Sequence, residues 1–250
     1  MTLHPTSRLL YAKHFKQPGI STKLSRQGLV FDCVITASER RDACLYGTDS
    51  AAPWRILAVQ RPPTKVILNP ESPTERELYT QLRPDADFNI VYGLSPDRTT
   101  RPRWTTDLDE GDVFFEGQEC LLVAQCGADT IGFSKFGVFI RRDPEEEKTT
   151  NFEVLVDLVY VRPRCRGAGY GLDLSIACSR ICDDVFKALL HAAPDGETIS
   201  VGVFADFESE GGDRFVTYVI DKLKAAIDLA PIGHAGRHLR LKPVVFEGGY

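Results

Sequence analysis

The sequence predicts a mixed α/β domain, and three observations carry that prediction. Residues 154–161, Val-Leu-Val-Asp-Leu-Val-Tyr-Val, are rich in β-branched side chains, as buried strands are; they run into a glycine-rich loop after Pro163 and then into a long amphipathic helix ending near Ala193. Residues 119–125 and 130–141 read as two strands joined by Cys126-Gly127-Ala128-Asp129, a hairpin signal. Beyond the long helix, a strand at 198–207, an amphipathic helix at 213–230 and a closing strand at 239–246 continue the alternation.

Each element has its own local reason. No acidic residue precedes Asp32, whereas Arg8, Lys13, Lys16, Lys23 and Arg26 do, a composition compatible with an organelle transit peptide and more commonly produced by a flexible basic arm. Candidate strands at 28–37 and 54–60 flank a polar, turn-rich stretch, and Pro62 and Pro63 punctuate after them. Residues 65–68 predict a short strand and 72–82 a helix, with Ser72 as cap and Pro73 in the first turn. A further strand is expected at 87–94, followed by a loop bearing proline and threonine at 95–109. The acidic run Glu145-Glu146-Glu147 fits a solvated hairpin tip. In the long helix Leu174, Ile181, Val185 and Leu189 form one stripe near the 3.6-residue period, with Ala177, Cys178 and Cys182 beside it.

Composition narrows the function classes. At 250 residues the chain is long enough for one or two domains with a proper core, and 43% hydrophobic with 26% charged residues is ordinary for a globular protein. Residues 1–118 hold 15 basic and 15 acidic side chains and residues 119–250 hold 15 and 20, so the net charge of −5 lies entirely in the second half. That balance disfavours direct DNA binding and mildly favours a cationic acceptor. No run of about 18 apolar residues is present, so no membrane helix is expected. Seven cysteines, Cys33, Cys44, Cys120, Cys126, Cys165, Cys178 and Cys182, make no C-x-x-C pair; reduced thiols and a cytoplasmic setting are the expectation. Cys178 and Cys182 lack a matching pair for zinc and read as core, and His234 and His238, despite helical spacing, sit in a connector, so no metal site is expected.

The loop itself is Arg162-Pro163-Arg164-Cys165-Arg166-Gly167-Ala168-Gly169-Tyr170-Gly171. The first N–H groups of a helix lack internal acceptors and lie at the positive end of its dipole, so they suit a phosphate. Gly167, Gly169 and Gly171 remove Cβ atoms that would hold an anion away, and Arg164 and Arg166 add positive charge. The dinucleotide pattern G-x-G-x-x-G fails because Leu172 stands where the third glycine belongs, and no G-K-[ST] is present for a nucleoside triphosphate. A glycine turn without a ligand satisfies the same spacing.

Arg164-Cys165-Arg166-Gly167-Ala168-Gly169 fits the pattern R/Q-x-x-G-x-G/A, and with Val161, Pro163 and Gly171 it resembles the acetyl-CoA loop of the GNAT N-acetyltransferase superfamily. The resemblance covers roughly residues 112–250. It implies a mixed, mostly antiparallel central sheet flanked by helices over residues 65–250, with residues 1–64 an N-terminal extension of unidentified role. It also implies acetyl-CoA as co-substrate, backbone groups of Val159 and Val161 pairing with pantetheine as an added strand would, and amides of Arg166, Gly167, Ala168, Gly169, Tyr170 and Gly171 holding the diphosphate. A bulged strand before the loop splays from the next strand in this superfamily, which places the amide near Val159 as an oxyanion donor.

Acyl transfer to an amine needs a neutral nucleophile, and deprotonating a lysine-like ammonium at pH 7 costs roughly 4–5 kcal/mol, which a positioned base offsets. Strict alternation puts Glu153, Leu155, Asp157, Val159 and Val161 on one face of the strand and Val154, Val156, Leu158 and Tyr160 on the other. By resemblance, Asp157 in Asp-Leu-Val-Tyr and Glu153, eleven residues before Arg164, are the candidate bases, and Tyr218 is the candidate acid for the leaving thiolate. The asparagine usual before that tyrosine is missing, Glu210-Gly211-Gly212-Asp213 standing there instead, and Tyr218 falls opposite the stripe of Val216, Val219, Ile220, Leu223 and Ile227. Asp206, Glu208 and Glu210 are further acidic groups for an acceptor cleft or a solvated loop. The expected partner is an amine-bearing small molecule or protein, and a homodimer is compatible with the sequence. An inactive CoA-binding or protein-interaction module is the alternative.

Overall fold

The computed structural model describes residues 15–17, 20–25, 28–40, 64–70, 72–73, 75–85, 104–108, 114–143, 145–146, 148–206, 209–230 and 239–249. The predicted strands at 54–60 and 87–94, together with Cys44, Glu208, His234 and His238, lie outside them. The described chain is α/β, built on an open, mixed and mostly antiparallel sheet. Its strands are β1 (Phe15–Gln17), β2 (Ile20–Ser25), β3 (Gly28–Ile35), β4 (Thr64–Leu68), β5 (Trp104–Leu108), β6 (Phe114–Cys126), β7 (Asp129–Arg142), β8 (Thr149–Val161), β9 (Thr198–Asp206), β10 (Arg240–Leu241) and β11 (Val245–Gly249). The helices are α1 (Glu75–Leu82), α2 (Tyr170–Ala192) and α3 (Glu210–Leu229).

From β1 to β4, and on through β6, β7 and β8, neighbouring strands are antiparallel; β9 then joins β8 in parallel, and β10 and β11 join β9 in parallel. The change of sense at β8 follows from the connections. A tight turn can only reverse the chain, whereas α2 carries it back across the sheet from the end of β8 to the start of β9. The β6–β7 turn needs a residue with positive φ, which Gly127 supplies at +62°. At the β7–β8 turn the Asp143 carboxylate accepts from the amides of Glu145 and Glu146, and these bonds hold its pKa below the usual carboxylate range. Glu145 and Glu146 are exposed there, as a solvated tip requires.

One face of the sheet carries the main core. Val66, Leu122, Val138, Phe152, Val154, Val201 and Val203 meet α2 and α3 there, including Leu174, Ile181, Val185 and Leu189 of the predicted stripe. Cys120, Cys178 and Cys182 are buried in this core and form no disulfide, and burial pushes Cys120 and Cys178 well above the ordinary thiol value. On the opposite face Leu78 and Leu82 of α1 pack on Leu121, Val123, Phe133 and Tyr160. Ser72 and Pro73 precede α1 instead of forming its cap and first turn. α3 starts three residues before the predicted Asp213 because Ser209 caps it, accepting from the Gly212 amide at 3.2 Å.

The sheet also runs through the segment read as an N-terminal extension. β3 pairs with β4 from Phe31↔Leu68 to Ile35↔Thr64, and Ile35 enters the main core. After β3 the chain makes a short helical turn at 37–40, capped by Thr36 and Glu39. Among the described residues no helix is long and apolar enough to cross a membrane.

Candidate functional site

The site is set by how β8 ends. Its parallel register with β9 runs from Thr149↔Thr198 to Val156↔Ala205, and β9 stops at Asp206. β8 itself continues to Val161, paired with β7. At the point where the two strands part, the β7–β8 register slips, Lys135 facing Leu158 and Phe136 facing Val156, so that Asp157 is the extra residue of a β-bulge.

That bulge corrects the predicted alternation. Before it, Phe152, Val154 and Val156 face the main core; after it, Val159 and Val161 pack on that same core while Leu158 and Tyr160 turn to the α1 side. Glu153 and Leu155 therefore do not share a face with Val159 and Val161. The extra residue shifts the two-residue period by one, which the near-continuous apolar run of residues 154–161 does not reveal. Asp157 is exposed at the bulge. Glu153 points to the other side of the sheet, where its carboxylate pairs with Arg141 at 2.6 Å.

After β8, Pro163–Cys165 form a single 3-10 turn, closed by the Arg166 amide donating to the Pro163 carbonyl at 3.2 Å. Gly167 and Gly169 follow with φ of +74° and +82°, conformations that favour glycine, and Gly169 is the N-cap of α2. The first intrahelical bond is Asp173 N–H to the Gly169 carbonyl, 3.3 Å. A Cβ built on Gly167 would have no heavy atom within 4 Å, so this part of the loop faces open space. The helix N-terminus and two left-handed glycines thus follow directly on the end of β8 that extends past its pairing with β9.

The two arginines of the loop behave differently. Arg164 is exposed. Arg166 folds back, its Nε donating to the Val161 carbonyl at 2.9 Å and its guanidinium lying 5.7 Å from the Tyr160 ring centroid. Added-strand pairing at the Val161 carbonyl would therefore have to share that oxygen with Arg166 or displace it. On the α1 side, Arg162 grips Asp85 through two bonds of 3.0 and 3.2 Å, and the Tyr160 hydroxyl donates to the same carboxylate at 3.2 Å. On β7, Ser134 lies opposite Val159 of β8 with its hydroxyl fully buried and without a hydrogen-bond partner.

Tyr218 is on α3, half-buried at the edge of the main core and with the Lys222 ammonium 5.4 Å from its ring centroid. Of the predicted stripe, Val216, Val219, Ile220 and Leu223 are buried and Ile227 packs partly buried against the core, but Tyr218 also packs there and is not turned fully away as its position on the wheel suggests. Glu210 is taken up in an i,i+4 ion pair with Arg214.

Two residues near the loop escaped the sequence reading. Asp173, in the first turn of α2, forms an ion pair with Arg40, 2.9 Å apart and both 0% exposed. Thr36-Ala37-Ser38-Glu39 is a capping-box pattern that marks the helix start before Arg40, though not the burial of that side chain. The chain matches no protein-family model, no curated protein and no solved structure.

Proposed function

We propose that the chain is an acetyl-CoA-dependent N-acyltransferase that moves an acetyl group to a primary amine. One observation carries the reading: the bulge at Asp157 coincides with the end of β8–β9 pairing, and the length of β8 that runs on past β9 leads straight into the glycine-capped start of α2. In this reading the diphosphate of CoA rests on the amides that open α2, with Arg164 in reach from solvent. The pantetheine arm runs along residues 157–161, where β8 has outrun its parallel partner.

The chemistry follows from that placement. Asp157, directly or through water, takes a proton from the acceptor ammonium and passes it to solvent; the neutral nitrogen attacks the thioester carbonyl; as the C–S bond breaks the nitrogen gives up its second proton to become the amide, balancing the proton that the leaving thiolate takes up. An amide near Val159 stabilises the oxyanion, and Tyr218 is the candidate proton donor to sulfur. The test is thiol release from acetyl-CoA across a panel of amines. Amine-dependent release with acetylated product supports the reading, and its absence across the panel opposes it.

A second reading, a CoA-binding module without turnover, is favoured by the engagement of Glu153 with Arg141 and of Tyr218 with Lys222. It predicts CoA binding with no acetylated product.

A further inference from the structure

The segment before β4 carries a device aimed at the start of α2. Thr36 and Glu39 form a reciprocal cap: the Thr36 amide donates to Glu39 Oε2 at 2.6 Å, the Thr36 hydroxyl donates to the same oxygen at 2.8 Å, and the Glu39 amide donates back to Thr36 Oγ1 at 3.3 Å. The cap presents two neighbouring residues of opposite charge to α2. Glu39 accepts from Arg180 at 2.7 Å, and Arg40 donates through Nε to Asp173 at 2.9 Å.

The second of these pairs is fully buried, and the Arg40 guanidinium spans three elements. Its Nη2 donates to the Ile35 carbonyl at the end of β3, 3.1 Å away, and to Thr64 Oγ1 at the start of β4, 3.3 Å away. Asp173, Ile35 and Thr64 thus fix one planar group against α2, β3 and β4 together. Along α2 the charges reverse, acid at 173 and base at 180, while the capped turn offers base at 40 and acid at 39. Sliding α2 by one turn would separate both pairs and strand a buried charge, so the arrangement specifies an axial position. Four residues before Asp173 lies Gly169, whose carbonyl accepts the Asp173 amide.

We propose that Arg40 and Asp173, with Glu39 and Arg180, are positioning residues for the glycine loop: they set where the amides that open α2 point. This rests on the reading of that loop as the CoA diphosphate site. It gives residues 36–40 a role in ligand binding without contact with the ligand.

The test compares wild type with Arg40→Met/Asp173→Leu, which replaces the buried pair by apolar side chains, a change that often leaves stability unaltered. Thermal unfolding, amide hydrogen exchange over residues 167–172 and CoA titration are measured on the full chain. The expected result is a cooperative transition near the wild-type temperature, faster exchange in the loop, and CoA affinity reduced about tenfold. Wild-type exchange rates with unchanged affinity would overturn the proposal. If the double variant does not fold, Arg40→Lys decides: it keeps the charge but loses the fork to Ile35 and Thr64, and the same two changes are expected. Should wild type itself bind no CoA, the acyltransferase reading fails, and loop exchange alone still decides the positioning role.

Discussion

Gly167→Ala separates backbone from ligand in the loop. Gly167 has φ of +74° and a Cβ there would meet no heavy atom within 4 Å, so the substitution creates no clash and its cost to the free protein is conformational. An L-residue in the left-handed region costs roughly 1–2 kcal/mol, which lowers the melting temperature by about 2–8 °C in a chain of this size. Urea unfolding should show a lower midpoint with an unchanged slope. The methyl group also enters the open space assigned to the diphosphate, so CoA affinity should fall more than stability accounts for. Gly167→Asn provides the control: asparagine tolerates positive φ, so stability should largely return while affinity stays low. Wild-type CoA affinity in both variants would refute the placement of the anion. An unchanged urea midpoint in Gly167→Ala would refute the left-handed backbone.

Gly132→Ala tests the strand pair beneath the loop: its Cβ would lie 2.4 Å from the Tyr160 carbonyl oxygen and 3.1 Å from Val161 Cα, so β7 and β8 must part, at an expected cost of about 1–3 kcal/mol by urea unfolding. Asp85→Ala removes the acceptor of Arg162 and of the Tyr160 hydroxyl, and should destabilise the end of β8 by about 1–3 kcal/mol, read as faster amide exchange at 158–162. Asp184 on α2 is 6% exposed, and burial, with the Asp183 charge beside it, raises its pKa to about 6. The native state then binds this proton more tightly than the unfolded chain, so stability from this group is greatest below pH 4 and is lost as pH rises towards 6. Asp184→Asn should accordingly stabilise the protein above pH 6 by up to about 3 kcal/mol and have little effect near pH 4, as measured by melting temperature against pH. Asp157→Asn should depress acetyl transfer more than CoA affinity, and a fully active variant would place the base elsewhere.

Local pattern made part of this architecture legible. The β6–β7 hairpin was visible because Gly127 marks its turn and both flanks are strand-like, and the β8–loop–α2 unit because the apolar period changes from two to 3.6 across a cluster of glycines. What escaped depends on partners distant in sequence. The resemblance implies a bulged strand before the loop, but the place of the bulge at Asp157 is a property of the β7–β8 register, and Val156 and Val159 reach the same core only because one residue is extra between them. Arg40 and Asp173 are separated by 133 positions, and two adjacent arginines at 40 and 41 give no sign which one is buried. The fate of Arg166 was hidden for a related reason: its guanidinium is drawn to a strand-end carbonyl and a tyrosine ring, both supplied by β8.

Titration of the full chain with acetyl-CoA, following the backbone amide resonances of residues 157–173, tests the central claim most directly. Saturable one-to-one binding with shifts concentrated at residues 166–171 and along 157–161 is the predicted result. Binding that leaves those amides unmoved, or no binding at millimolar acetyl-CoA, would contradict it.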